Sequence, residues 1–295
     1  MHVRSTDTSF DLKQSTRDAS LVRREIARLF GATPARRIVL APGMLSGLRQ
    51  LFTCLRIERL ALTTEEYYAR RHFPGIACDV ASPSTLAARV IATNPGAVIA
   101  SVVSWRGTPL PVSALFDEIR RALGARAPLL VADYTHAGAI GFPAMSGLNA
   151  DVVSGDPEKW LLPPGQRSRL AFLWIRSPAV FRRAAPAFSP FFLALEGQTD
   201  ERSARWLDPR ELREVAAWLS DSQMTRRALR DRHHANLRMK QRLARRLGIA
   251  FDDDASVLWT RQQIPKALES RLERLGLLWH AADGHARVVC RADAQ

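Results

Sequence analysis

The sequence predicts an α/β protein: a mainly parallel sheet with helices on both faces, then a long helix and a small α+β lobe. Three observations carry this. Short apolar runs of strand length alternate with segments of helical period from residue 37 onward. The first of these runs passes through Pro42-Gly43 directly into a helix, the opening of a parallel α/β unit. A later run ends on a carboxylate, Asp133, at the strand end where a parallel sheet receives ligands.

Taken in order, Thr16, Leu21, Ile26, Leu29 and Phe30 have helical spacing and stop at Gly31, a C-terminal signal. Residues 37–41 read as a short buried strand, and Leu45, Leu48, Leu51 and Phe52 continue as a helix. The alternation then repeats, with strands at 59–62, 97–103 and 129–133 and helices at 83–93 and 112–123. Residues 151–154 begin another strand and 170–175 form the next, with a loop of Lys, Pro and Gly between them. Asp208-Pro209 reads as the cap and first-turn proline of a helix that runs to Leu247, before Gly248. Strands at 256–259, 277–279 and 286–290 and a helix at 265–275 complete the lobe. The expected organisation is a large α/β domain with its N-terminal segment over 1–207, a helical connector over 208–247 and a small domain over 248–295.

A chain of 295 residues with 46% hydrophobic content can bury a sizeable core. No stretch approaches the ~18 uninterrupted apolar residues of a membrane span, and no apolar segment follows the first basic residues, so a cytoplasmic location is expected. Cys54, Cys78 and Cys290 lack metal-ligand or disulfide spacing, and His233-His234 lies among arginines that would repel a cation. Neither a metal site nor a disulfide framework is expected. The net charge of +14 raises nucleic acid as a partner, but its excess is concentrated at 226–246, where arginines surround a helix without interleaved aromatics. A solvated or subunit-facing basic helix is the expected reading, and nucleic acid is not the expected partner.

Lys159 is one of four lysines in a chain with 43 Lys+Arg. Arginine cannot lose its proton in a protein, whereas a buried lysine shifts its pKa readily and can form a Schiff base. Lys159 lies 26 residues after Asp133, in an apolar loop bounded by Pro163-Pro164-Gly165. It is therefore a candidate covalent anchor.

Asp133-Tyr134-Thr135-His136-Ala137-Gly138, Lys159 and the segments around them resemble the class V aminotransferase family of fold-type-I pyridoxal phosphate (PLP) enzymes, whose relatives include cysteine desulfurases and kynureninases. An Asp at a strand end, or one His, is weak by itself; the ordered set of Asp, His, small-residue turn and Lys is strong. The resemblance covers nearly the whole chain and implies a sheet of the seven-stranded type, pyridoxal 5'-phosphate as cofactor and a homodimer with shared active sites. It implies that Asp133 pairs with the pyridine nitrogen, that His136 contacts the phenolic oxygen and that Lys159 is the Schiff-base lysine and the general base at Cα.

Thr64-Glu65-Glu66-Tyr67-Tyr68 resembles the segment that puts a ring over the cofactor, which makes Tyr67 the stacking candidate and Tyr68 the second. In the segment that begins at Ser101, Ser104 stands where an Asn is common and Trp105 lies beside it as a substrate contact. Glu196-Gly197-Gln198-Thr199 resembles the pair that reaches a partner subunit's phosphate, through Thr199. Arg287 resembles the arginine that clamps a substrate carboxylate, a task suited to a bidentate guanidinium.

The phosphate end departs from the family. Gly43-Met44-Leu45-Ser46 offers Gly43 and Ser46, with Leu45 in the place of a threonine. Asp156 stands three residues before Lys159, where a hydroxyl is usual, so Ser154 becomes the hydroxyl candidate; Glu158 replaces a common histidine. The expected activity is that of a PLP-dependent enzyme on an amino acid or amine, an aminotransferase first. A lyase, hydrolase or epimerase of the same family is the alternative, as is a non-catalytic descendant that binds or regulates.

Overall fold

The computed structural model describes residues 12–66, 73–104, 108–137, 144–156, 168–184, 208–221, 225–247, 257–260, 267, 270, 278–282 and 285–289. Helix α1 (Leu12–Phe30) buries Ala19, Val22, Ile26, Leu29 and Phe30 along one face. It stops at Gly31, whose φ of 72° lets its N–H reach the Ala27 carbonyl at 2.9 Å. Strand β1 (Ile38–Ala41) is wholly buried and leads to helix α2 (Met44–Leu55). Gly43 at the junction has φ 113°, a conformation that disfavours any side chain. A Cβ on Gly47 would lie 2.5 Å from Leu173 Cδ1 and 3.0 Å from Ala41 Cβ, so glycine is what lets α2 lie close on the sheet.

The chain continues through β2 (Arg59–Thr63), β3 (Ala77–Ala81), α3 (Leu86–Thr93), β4 (Ala97–Ser101), α4 (Val112–Leu123), β5 (Leu129–Asp133), β6 (Val152–Gly155), β7 (Ala171–Ile175) and α5 (Pro178–Ala184). Seven strands form one sheet in the order β1-β7-β6-β5-β4-β2-β3. Strand β7 alone runs against its neighbours; the other six point the same way. Central strands β4, β5 and β6 are buried on both faces, which is why they read as continuous apolar runs. One core packs Ile26, Phe30, Phe116 and Phe172 on one face; the other packs Leu48, Leu51, Phe52 and Ile99 on the α2 face.

Helices α6 (Pro209–Asp221) and α7 (Arg226–Leu247) follow, then a three-stranded antiparallel sheet of β8 (Val257–Thr260), β9 (Leu278–Ala282) and β10 (His285–Val289) in the order β8-β10-β9. None of the described helices is long and apolar enough to cross a membrane.

Helix α5 was not expected from the sequence, the strand read over 97–103 ends at Ser101, the helix read over 265–275 lies outside the described residues except at 267 and 270, and three further elements differ. The single helix expected over 208–247 is two helices. Asp208 Oδ1 caps the first by accepting the Arg210 N–H at 2.9 Å, and Thr225 Oγ1 caps the second by accepting the Ala228 N–H at 3.0 Å. Strand β3 was not expected; it is a half-exposed edge strand of mixed composition whose place is set by pairing with β2. Helix α3 starts at Leu86, not at residue 83, because Ser82 first closes a turn by accepting from the Thr85 and Leu86 N–H groups.

Candidate active site

The parallel strands end in a polar row. Ser101 closes β4, Asp133 closes β5 and Ser154 lies near the end of β6; register sets Ser101 opposite Asp133 and Asp133 opposite Ser154. In a parallel sheet, aligned neighbours project to the same face, and alternation assigns these three to the α2 side. All three are buried, with Ser154 at 0% exposure. Asp133 Oδ1 accepts the Thr135 N–H at 2.8 Å, an Asx turn that fixes the carboxylate where the strand leaves the sheet. Tyr134 N–H bonds the Ser154 carbonyl at 2.7 Å, and its ring meets Phe30 edge-on at 5.6 Å between centroids, which locks the turn to the core.

The row meets the start of α2. Thr135 Oγ1 donates to Met44 Sδ at 3.2 Å, so the first turn of α2, where a helix N-terminus directs its backbone N–H groups outward, borders the Asp133 turn. Gly43 stands at that helix start, and Ser46 is exposed in its first turn.

A second carboxyl group borders the row. Glu66, in the turn after β2, accepts the Ser101 N–H on Oε1 and the Ser101 hydroxyl on Oε2, each at 2.5 Å, and the Thr63 hydroxyl on Oε1 at 3.1 Å. Burial pushes its carboxyl up to about 8, and the charge of Asp133 adds to the rise, while the Ser101 and Thr63 hydrogen bonds oppose it.

Among the described candidates, Asp133 and Ser154 stand in the row, with Gly43 and Ser46 at the α2 start beside it. His136 is half-buried three residues past Asp133. Ser104 is buried, but its hydroxyl accepts the Thr108 N–H at 3.0 Å and so closes the local turn. Arg287 lies on β10 opposite Trp259 and His280. Lys159, Tyr67, Trp105 and Thr199 lie outside the described residues, as do Tyr68, Glu158 and Gly197-Gln198. Ser168, just before β7, donates its hydroxyl to Glu211 of α6; Glu211 also accepts the Leu170 N–H at 2.8 Å.

Ser101 and Glu66 were not singled out from sequence. The available signal was the Thr-x-x-Glu spacing from Thr63 to Glu66; the apolar run read from the sequence extends over 97–103 and so hides Ser101 as a strand end, which the structure puts at residue 101.

No family model and no curated protein matches the sequence. Solved structures match the fold, and it is the fold type I architecture of aminotransferases. The chain is similar to ureidoglycine-glyoxylate aminotransferase from Bacillus subtilis, at TM-score 0.69 and 14% identity over 95% of this chain and 81% of that one. It is also similar to alanine-glyoxylate aminotransferase from Nostoc sp., at TM-score 0.72 and 10% identity over 95% and 83%. The same architecture recurs in cystathionine gamma synthase from Xanthomonas oryzae pv. oryzae, at TM-score 0.67 and 12% identity over 95% and 83%. Different activities share this fold, so the reaction has to be argued from the site.

Proposed function

We propose that the chain is a PLP-dependent enzyme acting on an amino acid or amine, with transamination as its reaction. The observation that carries this reading is the buried Ser101-Asp133-Ser154 row, and within it the Ser154 hydroxyl. That oxygen is fully buried and has no hydrogen-bond partner among the described residues. An unpartnered buried hydroxyl costs about 1–3 kcal/mol and calls for an explanation. A polar group bound beside Asp133 would supply its missing partner.

The residues present fit the cofactor. Asp133 would accept the ring N–H, with Ser154 beside it; Gly43, Ser46 and the α2 N–H groups would hold the phosphate. Bound there, the cofactor supplies an electron sink for negative charge developing at the substrate Cα. Lys159 would anchor it covalently and carry the proton to and from Cα. His136 would orient the phenolic oxygen, Tyr67 and Ser104 would line the ring, Trp105 and Arg287 would hold the substrate, and Thr199 would reach the phosphate in a second copy. Asp156 is the discordant residue, since a carboxylate repels a phosphate unless a cation such as Arg167 offsets it.

Visible absorption with added PLP tests the reading. The wild-type protein is expected to develop a cofactor band that Lys159→Ala lacks, and amino donors are expected to shift it. If PLP binds but no donor moves the band, the departures at Asp156 and Leu45 favour a second reading, a binding protein derived from the enzyme fold.

A further inference from the structure

Glu66 is a buried acid that the roles above leave unused, and it is placed with care. The β2–β4 ladder runs to Leu62 opposite Ile99, after which β2 turns away and the Thr64 N–H bonds Ala81 of β3 instead. The Ser101 N–H therefore lacks a β2 carbonyl, and Glu66 Oε1 takes that place at 2.5 Å while also accepting from Thr63. Its other oxygen lies 2.5 Å from the Ser101 hydroxyl, which stands at the register position of Asp133.

We propose that Glu66 is a positioning residue for Asp133, acting through Ser101: it ties the β2 turn to the end of β4 and fixes the polar wall beside the carboxylate that meets a bound ring nitrogen. The inference rests on the cofactor reading for its ligand, but the clamp itself involves only this chain. The charge of the pair supports it. Two carboxyl groups buried together do not both ionise readily, and Glu66, pushed up to about 8, is the one that keeps its proton at neutral pH. Asp133 then carries the single negative charge that a ring N–H needs. When Glu66 is protonated, its own O–H can make the contact with the Ser101 oxygen, which releases the serine proton toward the Asp133 side. Among the described residues, Asp133 on β5 is the ionisable group whose charge acts on Glu66; β2 and β4 present Thr63 and Ser101, which do not titrate in this range.

The test compares the wild type, Glu66→Gln and Glu66→Ala by the dissociation constant for pyridoxal phosphate, read from tryptophan fluorescence and visible absorbance, and by melting of the cofactor-free protein, each at about pH 6.5 and about pH 9. Glutamine keeps the acceptor for the Ser101 N–H but cannot ionise. The expected result is that wild-type binding weakens about tenfold toward pH 9, that Glu66→Gln changes less than about threefold, and that Glu66→Ala binds weakly at both pH values. If Glu66→Gln keeps the wild-type pH dependence in both readouts, the proposal is overturned. If no variant binds pyridoxal phosphate at any pH, the cofactor reading fails. The melting curves then decide the clamp: loss of the pH slope in Glu66→Gln upholds it and an unchanged slope removes it. Should Glu66→Ala fail to fold, the wild type and Glu66→Gln still decide the question.

Discussion

The row of Ser101, Asp133 and Ser154 and the helix start at residues 43–46 meet at the contact between Thr135 and Met44, yet they are held by different means. Sheet register fixes the row: each side chain projects from a buried strand whose neighbours leave it no freedom to slip. The helix start is set by one glycine at φ 113° and by the packing of α2 on β7, with its outer residue Ser46 exposed. On the proposed cofactor reading, such a site would hold a ring nitrogen rigidly and a phosphate adaptably. Of the departures from the aminotransferase pattern, Leu45 falls at the adaptable end, whereas Asp156 directly follows β6 of the row.

The largest expected effect breaks the rigid end. Asp133→Asn keeps shape and an acceptor but removes the charge, and PLP affinity should fall ~100-fold, as expected for loss of one partner of a buried charge pair; a titration followed by absorbance checks it. Leu45→Thr, at the adaptable end, should change the same constant far less.

Next comes the pH dependence of the wild type without cofactor. Glu66 titrates at 4.5 when free and at about 8 when folded, so between these values the folded protein holds a proton that the unfolded chain releases. Its contribution is fully present below about pH 4.5 and is lost as pH rises through about 8, on the order of a few kcal/mol. Denaturant titrations at a series of pH values in that window should show stability falling with pH, and the fall should be absent from Glu66→Gln.

Ser154→Ala separates binding from stability. Removing a hydroxyl that has no partner among the described residues should leave the cofactor-free protein within about 0.5 kcal/mol of wild type or slightly above it, while PLP binding weakens about tenfold. The smallest effect lies outside the site: Thr225→Ala removes the cap of α7 and should cost about 1 kcal/mol in thermal unfolding, with no change in cofactor affinity.

Much of the large sheet was legible in the sequence because strands buried on both faces write themselves as apolar runs, and Leu129–Asp133 and Val112–Leu123 coincide with their sequence-read spans. Asp133 was legible for the same reason, as the polar residue that ends such a run. Glu66 and Ser101 were not, because their pairing spans 35 residues and depends on where β2 leaves the ladder, which no local pattern records. Strand β3 and the break between α6 and α7 were hidden similarly. An edge strand of Ala, Cys and Asp is defined by its neighbour, and one threonine cap interrupts what otherwise reads as continuous helix.

The most direct test of the cofactor claim is borohydride reduction of the protein mixed with PLP, followed by peptide mapping. The account predicts a visible band before reduction and a pyridoxyl group on Lys159 after it. A colourless protein with no label on Lys159 would contradict it.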